Sequence, residues 1–143
     1  MIIDSSGSIV GRLAAYVAKS LLNGEKVIVV NSEKAVISGR KRDILRKYKT
    51  RREIKVKSTP EHAPKWPRRP DLLVRRIVRG MLPYDKPKGR KAFKNLKVYI
   101  GVPKDINIKE VKKIEELKLK GREEVRGKFI TILKLCEELG WHA

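Results

Sequence analysis

The sequence is poor in the residue types that build disulfides, metal centres and catalytic sites. Its 143 residues include one cysteine, Cys136, together with two histidines and no glutamine. A single cysteine cannot form an internal disulfide, and it argues against a cysteine-based metal site. No apolar run approaches the roughly 18 residues of a membrane span, and the first residues lack the basic and then apolar pattern of a signal peptide. We therefore expect an intracellular, soluble protein in a reducing compartment, without a membrane partner.

Positive charge is what the sequence has in excess. Lysine and arginine total 36 against 16 acidic residues, which gives a net charge of +20. Such a chain is attracted to polyanions and repelled by its own copies, so we expect nucleic acid as the partner and no obligate homo-oligomer. The length suits one domain over residues 1–143. The 36% of charged residues, with glutamine absent, is typical of proteins from thermophiles.

The charge is concentrated in the middle of the chain. Residues 39–94, called the basic middle below, hold 21 lysines and arginines against 5 acidic residues, a net +16, and the rest of the chain holds 15 against 11, a net +4. The two ends therefore resemble a scaffold, and the middle resembles an electrostatic surface.

The first third of the sequence predicts a strand, a helix and a second strand. A short apolar segment at residues 2–4 precedes a turn, and apolar residues then recur at helical spacing from Val10 to Leu21 until Asn23 and Gly24. Residues 27–30 form an uninterrupted β-branched run, which is typical of a strand covered on both faces in a parallel sheet. The connection is long enough for a parallel, right-handed crossover.

The basic middle predicts two helices separated by an extended excursion. The first follows Gly39 and has Ile44, Leu45 and Tyr48 on one side. Residues 51–65 are charged and contain two prolines, which favours an extended segment or a short hairpin arm. A second helix begins near Pro70, which suits a first helical turn, and Pro83 ends it. Its predicted buried stripe is Leu73, Val74, Ile77, Val78 and Met81.

The remaining sequence predicts one more strand and a helical C-terminal part over residues 104–143. Residues 97–101 resemble a strand. Asn107 with Glu110 resembles a capping box before a helix with Val111, Ile114 and Leu117 on one side. A last helix is predicted with Glu123 and Glu124 in its first turn, which suits the helix dipole, and with Val125, Phe129, Ile132, Cys136 and Leu139 on one stripe.

The turn at residues 5–12 lies between a strand and a helix, where backbone N–H groups can hold phosphate. A Walker loop needs four residues between its glycines and a lysine before serine or threonine. Here three residues separate Gly7 from Gly11, and Arg12 and Leu13 follow. The pattern favours a structural turn or an RNA phosphate contact over a mononucleotide site.

No combination of residues in the sequence resembles a catalytic site. His62 and His142 are far apart in the sequence and lack the spacing of a metal cluster or of a nucleophile with its base. Cys136 lies on an apolar stripe and is expected to be buried. The five carboxylates of the basic middle are scattered singly, which suits ion pairs and caps better than acid–base catalysis. We predict no enzyme, cofactor, metal or small-molecule substrate.

The basic middle differs from an ordinary solvated charge run because aromatic residues alternate with its cations. Tyr48, Trp66, Tyr84 and Phe93 lie among the arginines and lysines, and six of the seven prolines fall within residues 60–87. Guanidinium groups bind phosphate bidentately, and aromatic rings serve as platforms for splayed RNA bases. Nothing resembles a zinc finger, a basic zipper or a compact helix-turn-helix, so the pattern favours a folded RNA. A DNA-compacting architectural protein is the alternative.

Several segments form one ordered set over about residues 1–103: residues 11–14 with Ala18 and Lys19, 27–31, 38–39, 79–83, and 96–99 with Gly101. Together they resemble the universal L-thirteen family of large-subunit ribosomal proteins. Residues 66–70 and the sequence Gly-Val-Pro at 101–103 resemble the archaeal and eukaryotic branch of the family.

The resemblance implies a three-layer α/β/α fold around a mainly parallel sheet, no catalytic activity, and a cytoplasmic, ribosomal location. The implied function is that of a structural constituent of the large subunit that binds its rRNA beside neighbouring ribosomal proteins and supports subunit assembly and stability. A regulatory role outside the ribosome stays open, as does general nucleic-acid binding.

The candidate RNA-binding residues come from three kinds of argument. The matching motif places Arg79 and Gly80, together with Met81, at an RNA-facing turn, with phosphate contacts from Lys88, Gly89 and Arg90. Charge and helical side add Arg40, Lys41, Arg42, Arg75 and Arg76. Composition of the basic middle adds Lys47, Lys49, Arg51, Arg52, Lys65, Trp66, Arg68, Arg69, Lys86 and Lys91.

Two residues of the motif have more specific expected roles. Met81 and Leu82 are expected to anchor the end of their helix to the core. Gly80 is expected to omit a side chain where the helix and its partner approach closely.

Overall fold

A strand, a helix and a second strand begin the chain, as the apolar spacing predicts. The computed structural model describes residues 1–120 and 127–143. Strand β1 is Ile2–Asp4, helix α1 is Val10–Leu22 and strand β2 is Val27–Val30. The helix buries Val10, Leu13, Val17 and Leu21 on one side. Asn23 caps its end, and Gly24 at φ 91° then reverses the chain in a conformation that glycine adopts readily.

The central sheet is parallel and has four strands in the order β4-β2-β1-β5. Strand β4 is Leu96–Val98 and β5 is Val111–Lys112. Ile3 pairs with Val29 between β1 and β2, and Ile28 pairs with Lys97 between β2 and β4. This arrangement confirms the predicted α/β class with a mainly parallel central sheet.

Helices pack over the face of the sheet that carries Ile3 and Val29. Helix α3 is Pro70–Gly80 and α4 is Pro87–Lys94. Helix α1 contacts both of them, and both contact β4. Leu96 and Val98 are buried, whereas Lys97 between them is exposed. The strand therefore alternates between core and solvent.

The two predicted helices of the basic middle agree with the predicted pattern except at one residue. Helix α2 is Lys41–Glu53 and buries Ile44 and Tyr48. In α3, Leu73, Val74 and Val78 are buried, and Ile77 packs partly buried against the core. The prediction that Met81 anchors the helix end is wrong, because Met81 is 43% exposed, whereas Leu82 is 6% exposed. The helical period ends at Gly80, so Met81 no longer follows the buried stripe.

The prediction of a helix after Asn107 is wrong. A single 3-10 turn, Ile108–Glu110, leads into β5, and a second 3-10 turn follows at Glu115–Leu117. Ile2 of β1 pairs with Val111. Pairing with the edge of β1 satisfies backbone groups there, and this tertiary contact overrides the local capping signal.

The last helix is shorter than predicted. Helix α5 is Ile132–Glu138, and Thr131 caps it by accepting a hydrogen bond from the backbone N–H of Lys134. Phe129–Thr131 forms strand β6, antiparallel to β3 at Val36–Ser38. The predicted start of the helix at Glu123, Glu124 and Val125 lies outside the described residues.

Two further elements were not predicted, strand β3 and helix α4, and both are short. The predicted excursion at residues 51–65 is irregular after the end of α2. In that fully described stretch there is a 3-10 turn at Pro60–His62 and no strand, so the hairpin arm is absent. No helix in the described part of the chain is long and apolar enough to cross a membrane.

Candidate nucleic-acid interface

Trp66 lies at the centre of a cluster of arginines from α2 and α3. The guanidinium carbon of Arg51 lies 4.6 Å from the centroid of the Trp66 ring, and that of Arg76 lies 5.2 Å away. Tyr48 meets Trp66 edge to face, with 5.9 Å between ring centroids. Arg52 donates a hydrogen bond to the carbonyl oxygen of Trp66. We call these five residues the Trp66 cluster.

A second cluster joins the end of α3 to α4. Arg75 lies 4.9 Å from the centroid of the Phe93 ring, and Arg79 lies 4.4 Å from that of Tyr84. The two rings meet edge to face at 5.7 Å. These four residues form the Phe93 cluster. In both clusters a guanidinium over a ring can still donate hydrogen bonds from its edges.

The four aromatic rings make contacts within the chain, and their expected use as platforms for RNA bases stays a prediction. Tyr48 is buried, and Trp66 and Phe93 are half-buried, so the rings pack against each other and against arginines of the same chain. Only Tyr84 reaches 36% exposure. In this structure each ring lies within 5.3 Å of a guanidinium carbon of the same chain.

Little negative charge balances the cations of the basic middle. Two of its arginines lie within 4.0 Å of a carboxylate that the structure describes: Arg46 is 3.5 Å from Asp43, and Arg69 is 2.9 Å from Asp71. A surface whose cations outnumber their described partners so strongly attracts a polyanion.

Arginines in this region lie close to one another. Burial and the neighbouring Arg68 lower the pKa of the Arg52 guanidinium, and burial and Arg79 lower that of Arg76. Arg75 and Arg76 also each bury an Nε atom that has no hydrogen-bond partner in the described part of the chain. Unpartnered buried donors and crowded like charges both destabilise the free protein. An anion placed between the guanidinium groups would relieve the repulsion.

The structure places the predicted binding residues at three levels of exposure. Half-buried positions belong to the two clusters: Arg51, Arg52, Trp66, Arg75, Arg76 and Arg79. Exposed positions are Arg40, Lys41, Arg42, Lys47, Lys49, Lys65, Arg68, Arg69, Gly80, Lys86, Lys88, Arg90 and Lys91. Gly89 is buried, so its own atoms are not presented to a ligand.

Gly89, rather than Gly80, is the glycine at a close approach within the chain. A Cβ on Gly89 would lie 2.0 Å from the carbonyl oxygen of Pro83, whereas nothing lies within 4 Å of a Cβ on Gly80. The motif Lys-Gly-Arg does not indicate this, because the contact depends on where residues 83–86 turn. A close approach between Gly80 and a partner remains a prediction.

The turn at residues 5–12 uses its backbone donors inside the chain. The N–H groups of Gly7, Ser8 and Ile9 donate to the carbonyl oxygens of Lys34, Ser5 and Leu117, at 2.8 to 3.1 Å. The backbone N–H of Ser6 donates to the Asp4 carboxylate. These bonds favour the structural interpretation of the turn and leave no loop of free N–H groups over residues 6–9 for a mononucleotide.

Asp4 holds the same turn from the end of β1. Its Oδ1 accepts hydrogen bonds from the Ser6 backbone and hydroxyl and from the Asn31 side chain, at 2.7 to 3.0 Å. Burial alone would raise the pKa of Asp4, but these bonds hold it below its ordinary value. This carboxylate is therefore used in structure.

Cys136 is fully buried in α5 and should be chemically inert. Burial raises the pKa of its thiol to about 12, with Asp71 and Glu137 adding to the shift. The native protein at pH 8 should therefore resist thiol alkylation, and the denatured protein should react within minutes, as mass spectrometry can measure. Because the folded pKa is the higher one, the contribution of this group to stability falls as pH rises from about 9 toward 12. Rapid labelling of the native protein at pH 8 would contradict the prediction that Cys136 is chemically inert.

Comparison with known families decides the identity of the chain. The family model for Ribosomal protein L13 matches residues 1–105. The chain belongs to the ribosomal protein L13 family. The matched residues include the whole basic middle and strands β1 to β4, so both arginine clusters lie within the family match.

Relatives extend the similarity over nearly the whole chain. A large ribosomal subunit protein uL13 from Methanocaldococcus jannaschii is 47% identical over 140 residues, 97% of this chain and 96% of the relative. One from Methanosphaera stadtmanae is 50% identical over 116 residues, 80% and 82% of the two chains. One from Archaeoglobus fulgidus is 40% identical over 140 residues, 98% and 87%. All are archaeal, which confirms the resemblance to the archaeal form of the L13 family.

Proposed function

We propose that this chain is a structural constituent of the large ribosomal subunit and that its basic middle is the surface that binds rRNA. The match to the L13 family supports the role in the large subunit. The rRNA-binding role of the basic middle is supported by the 21 cations of residues 39–94, few of which have a described carboxylate partner.

In this role the protein supports assembly and stability of the subunit and is not an enzyme. Its location is the ribosome in the cytoplasm, and its partners are large-subunit rRNA and neighbouring ribosomal proteins. We further propose that residues 1–143 fold as one domain. Its core supports this, because buried residues of α1, α3 and α5 belong to one hydrophobic cluster.

The proposed RNA contact has two parts with different physical roles. The exposed lysines and arginines of α2 and α4 provide long-range attraction to phosphate. The half-buried arginines of the Trp66 and Phe93 clusters have positions fixed by aromatic contacts, so they can favour one arrangement of phosphates over others. Attraction alone gives non-specific binding, and fixed arginines add recognition of RNA shape.

The experiment that tests this function compares two polyanions. Affinity for in vitro transcribed large-subunit rRNA is measured against duplex DNA of equal phosphate content, across a salt series. Non-specific binding is almost entirely counterion release and weakens steeply with salt. We expect a preference for rRNA that persists at high salt, because contacts fixed by shape do not depend on counterion release alone.

The opposite result favours the architectural alternative. If rRNA and duplex DNA bind with equal affinity at every salt concentration, and both affinities fall steeply as salt rises, the basic middle is a general polyanion surface. Saturable binding of a mononucleotide would instead contradict the structural interpretation of the turn at residues 5–12.

A further inference from the structure

The contacts of the Trp66 cluster indicate a way for this surface to recognise RNA. Two guanidinium groups, from Arg51 and Arg76, lie within 4.6 and 5.2 Å of the Trp66 ring centroid. Tyr48, a buried residue of α2, contacts the same ring edge to face. The indole is thus surrounded by groups of its own chain, and its half-buried position leaves little ring surface for another molecule.

One further arginine, Arg68, lies beside the cluster. Arg52 donates to the carbonyl oxygen of Trp66, and Arg68 lies close enough to lower the pKa of Arg52. None of these four arginines is paired within 4.0 Å with a carboxylate in residues 1–120 or 127–143. Guanidinium groups that lie close together without a carboxylate partner suit phosphate oxygens, which arginine can bind bidentately.

The cavity beside the cluster is less suited to an anion. It has a volume of about 330 Å³ and is lined by Lys49, Arg52 and Arg68, but also by Glu53 and Glu138. Carboxylates on its wall repel phosphate. A bound backbone is therefore directed along Arg51 and Arg76, which lie over the Trp66 ring and do not line this cavity.

We propose that the Trp66 cluster binds neighbouring backbone phosphates of folded rRNA, and that Trp66 is a positioning residue that orients the arginines rather than a platform for a base. This inference rests on the proposed function, since it assigns a ligand to part of the same surface. Cation–π contact fixes each guanidinium in a plane, which lowers the conformational entropy lost when phosphate binds.

The test uses one probe with bases and one without. Binding of large-subunit rRNA and of inorganic polyphosphate is measured for the wild type, Trp66→Leu and Trp66→Phe. If Trp66 orients arginines, Trp66→Leu lowers the affinity for both probes by about tenfold, and Trp66→Phe retains most of the wild-type affinity. A base platform predicts that Trp66→Leu weakens rRNA binding and leaves polyphosphate binding unchanged, and that result overturns the proposal.

A second variant keeps the test decisive if Trp66→Leu fails to fold. Arg51→Lys with Arg76→Lys preserves the charge but removes the planar guanidinium groups, and Arg12→Lys is the matched control because Arg12 is exposed outside the basic middle. We expect the double variant to bind both probes with roughly tenfold lower affinity and the control to bind them with unchanged affinity. Equal affinities for the double variant and the control overturn the proposal. The proposed function fails separately, by loss of the wild-type preference for rRNA over duplex DNA.

Discussion

Replacing Gly89 with alanine should destabilise the protein by about 3 kcal/mol, a large effect for a single methyl group. The added Cβ would lie 2.0 Å from the carbonyl oxygen of Pro83, 2.4 Å from its carbonyl carbon and 3.0 Å from the Tyr84 nitrogen. All three are backbone atoms, which cannot rotate away as the end of a side chain can.

Hydrogen bonds hold the turn at residues 83–86, which lies against Gly89, in place. The backbone N–H of Tyr84 donates to Leu82 at 2.8 Å, and that of Lys86 donates to Pro83 at 3.0 Å. Relief of the clash therefore moves the whole turn away from α4. Because Tyr84 contacts both Phe93 and Arg79, the displacement should also disturb the Phe93 cluster and weaken rRNA binding.

Gly80→Ala is the matched control for Gly89→Ala. Both glycines are helical, but a Cβ on Gly80 meets nothing within 4 Å. Alanine has the higher helix propensity, so Gly80→Ala should leave stability unchanged or raise it by up to about 1 kcal/mol. Denaturant unfolding measures both variants. A Gly89→Ala variant as stable as Gly80→Ala would show that the turn at residues 83–86 can move away from the added methyl group at little cost in stability.

The elements that the sequence predicted well are those with a long repeating pattern. In α1, apolar residues recur over three turns, and in α3 the stripe from Leu73 to Val78 contrasts with the arginines on the other side. Such patterns are independent of the rest of the chain, because each follows from burying one side of a helix.

The short strands could not be predicted in the same way. Val111–Lys112 is a strand because β1 has a free edge beside it, and Phe129–Thr131 is a strand because it meets β3. Two or three residues carry too little periodicity to indicate a strand, and the local capping pattern at Asn107 favoured a helix instead. Pairing with a distant segment decided the outcome.

The composition of the candidate site could be predicted from the sequence, but its geometry could not. Charge density located the basic middle, and the presence of aromatic residues among its cations distinguished it from a solvated run. Which ring meets which arginine depends on the packing of α2 against residues 66–70 and of α3 against α4. Trp66 and Phe93 therefore serve as supports for Arg76 and Arg75, a role that no sequence spacing indicates.

Replacing Arg75, Arg76 and Arg79 with glutamine should have the largest effect on RNA binding. All three lie on the side of α3 opposite its buried stripe and belong to the two clusters. Removing one cation that binds phosphate should make the slope of log K against log salt less steep by about 0.7 to 0.9, so the triple variant should lose roughly 2 to 3 units of slope. Affinity for rRNA at low salt should fall by about a hundredfold or more.

A control with the same change in net charge separates local recognition from overall attraction. Lys97, Lys104 and Lys109 are exposed and lie outside the basic middle, so their replacement by glutamine removes three charges without touching either cluster. If position matters, this control keeps most of the wild-type slope. Equal reductions of slope in both triple variants would mean that net charge alone governs binding, as in a general polyanion binder.

Stability gives an independent check on the same triple variant. Arg75 and Arg76 bury Nε atoms that have no described partner, and Arg76 lies near Arg79. Glutamine removes the repulsion and those buried donors, so the unfolding midpoint of the free protein should hold or rise while rRNA affinity falls. A gain in stability with a loss of binding is the signature of a surface arranged for a ligand. A loss of both would mean instead that the arginines mainly stabilise α3 by covering Trp66 and Phe93.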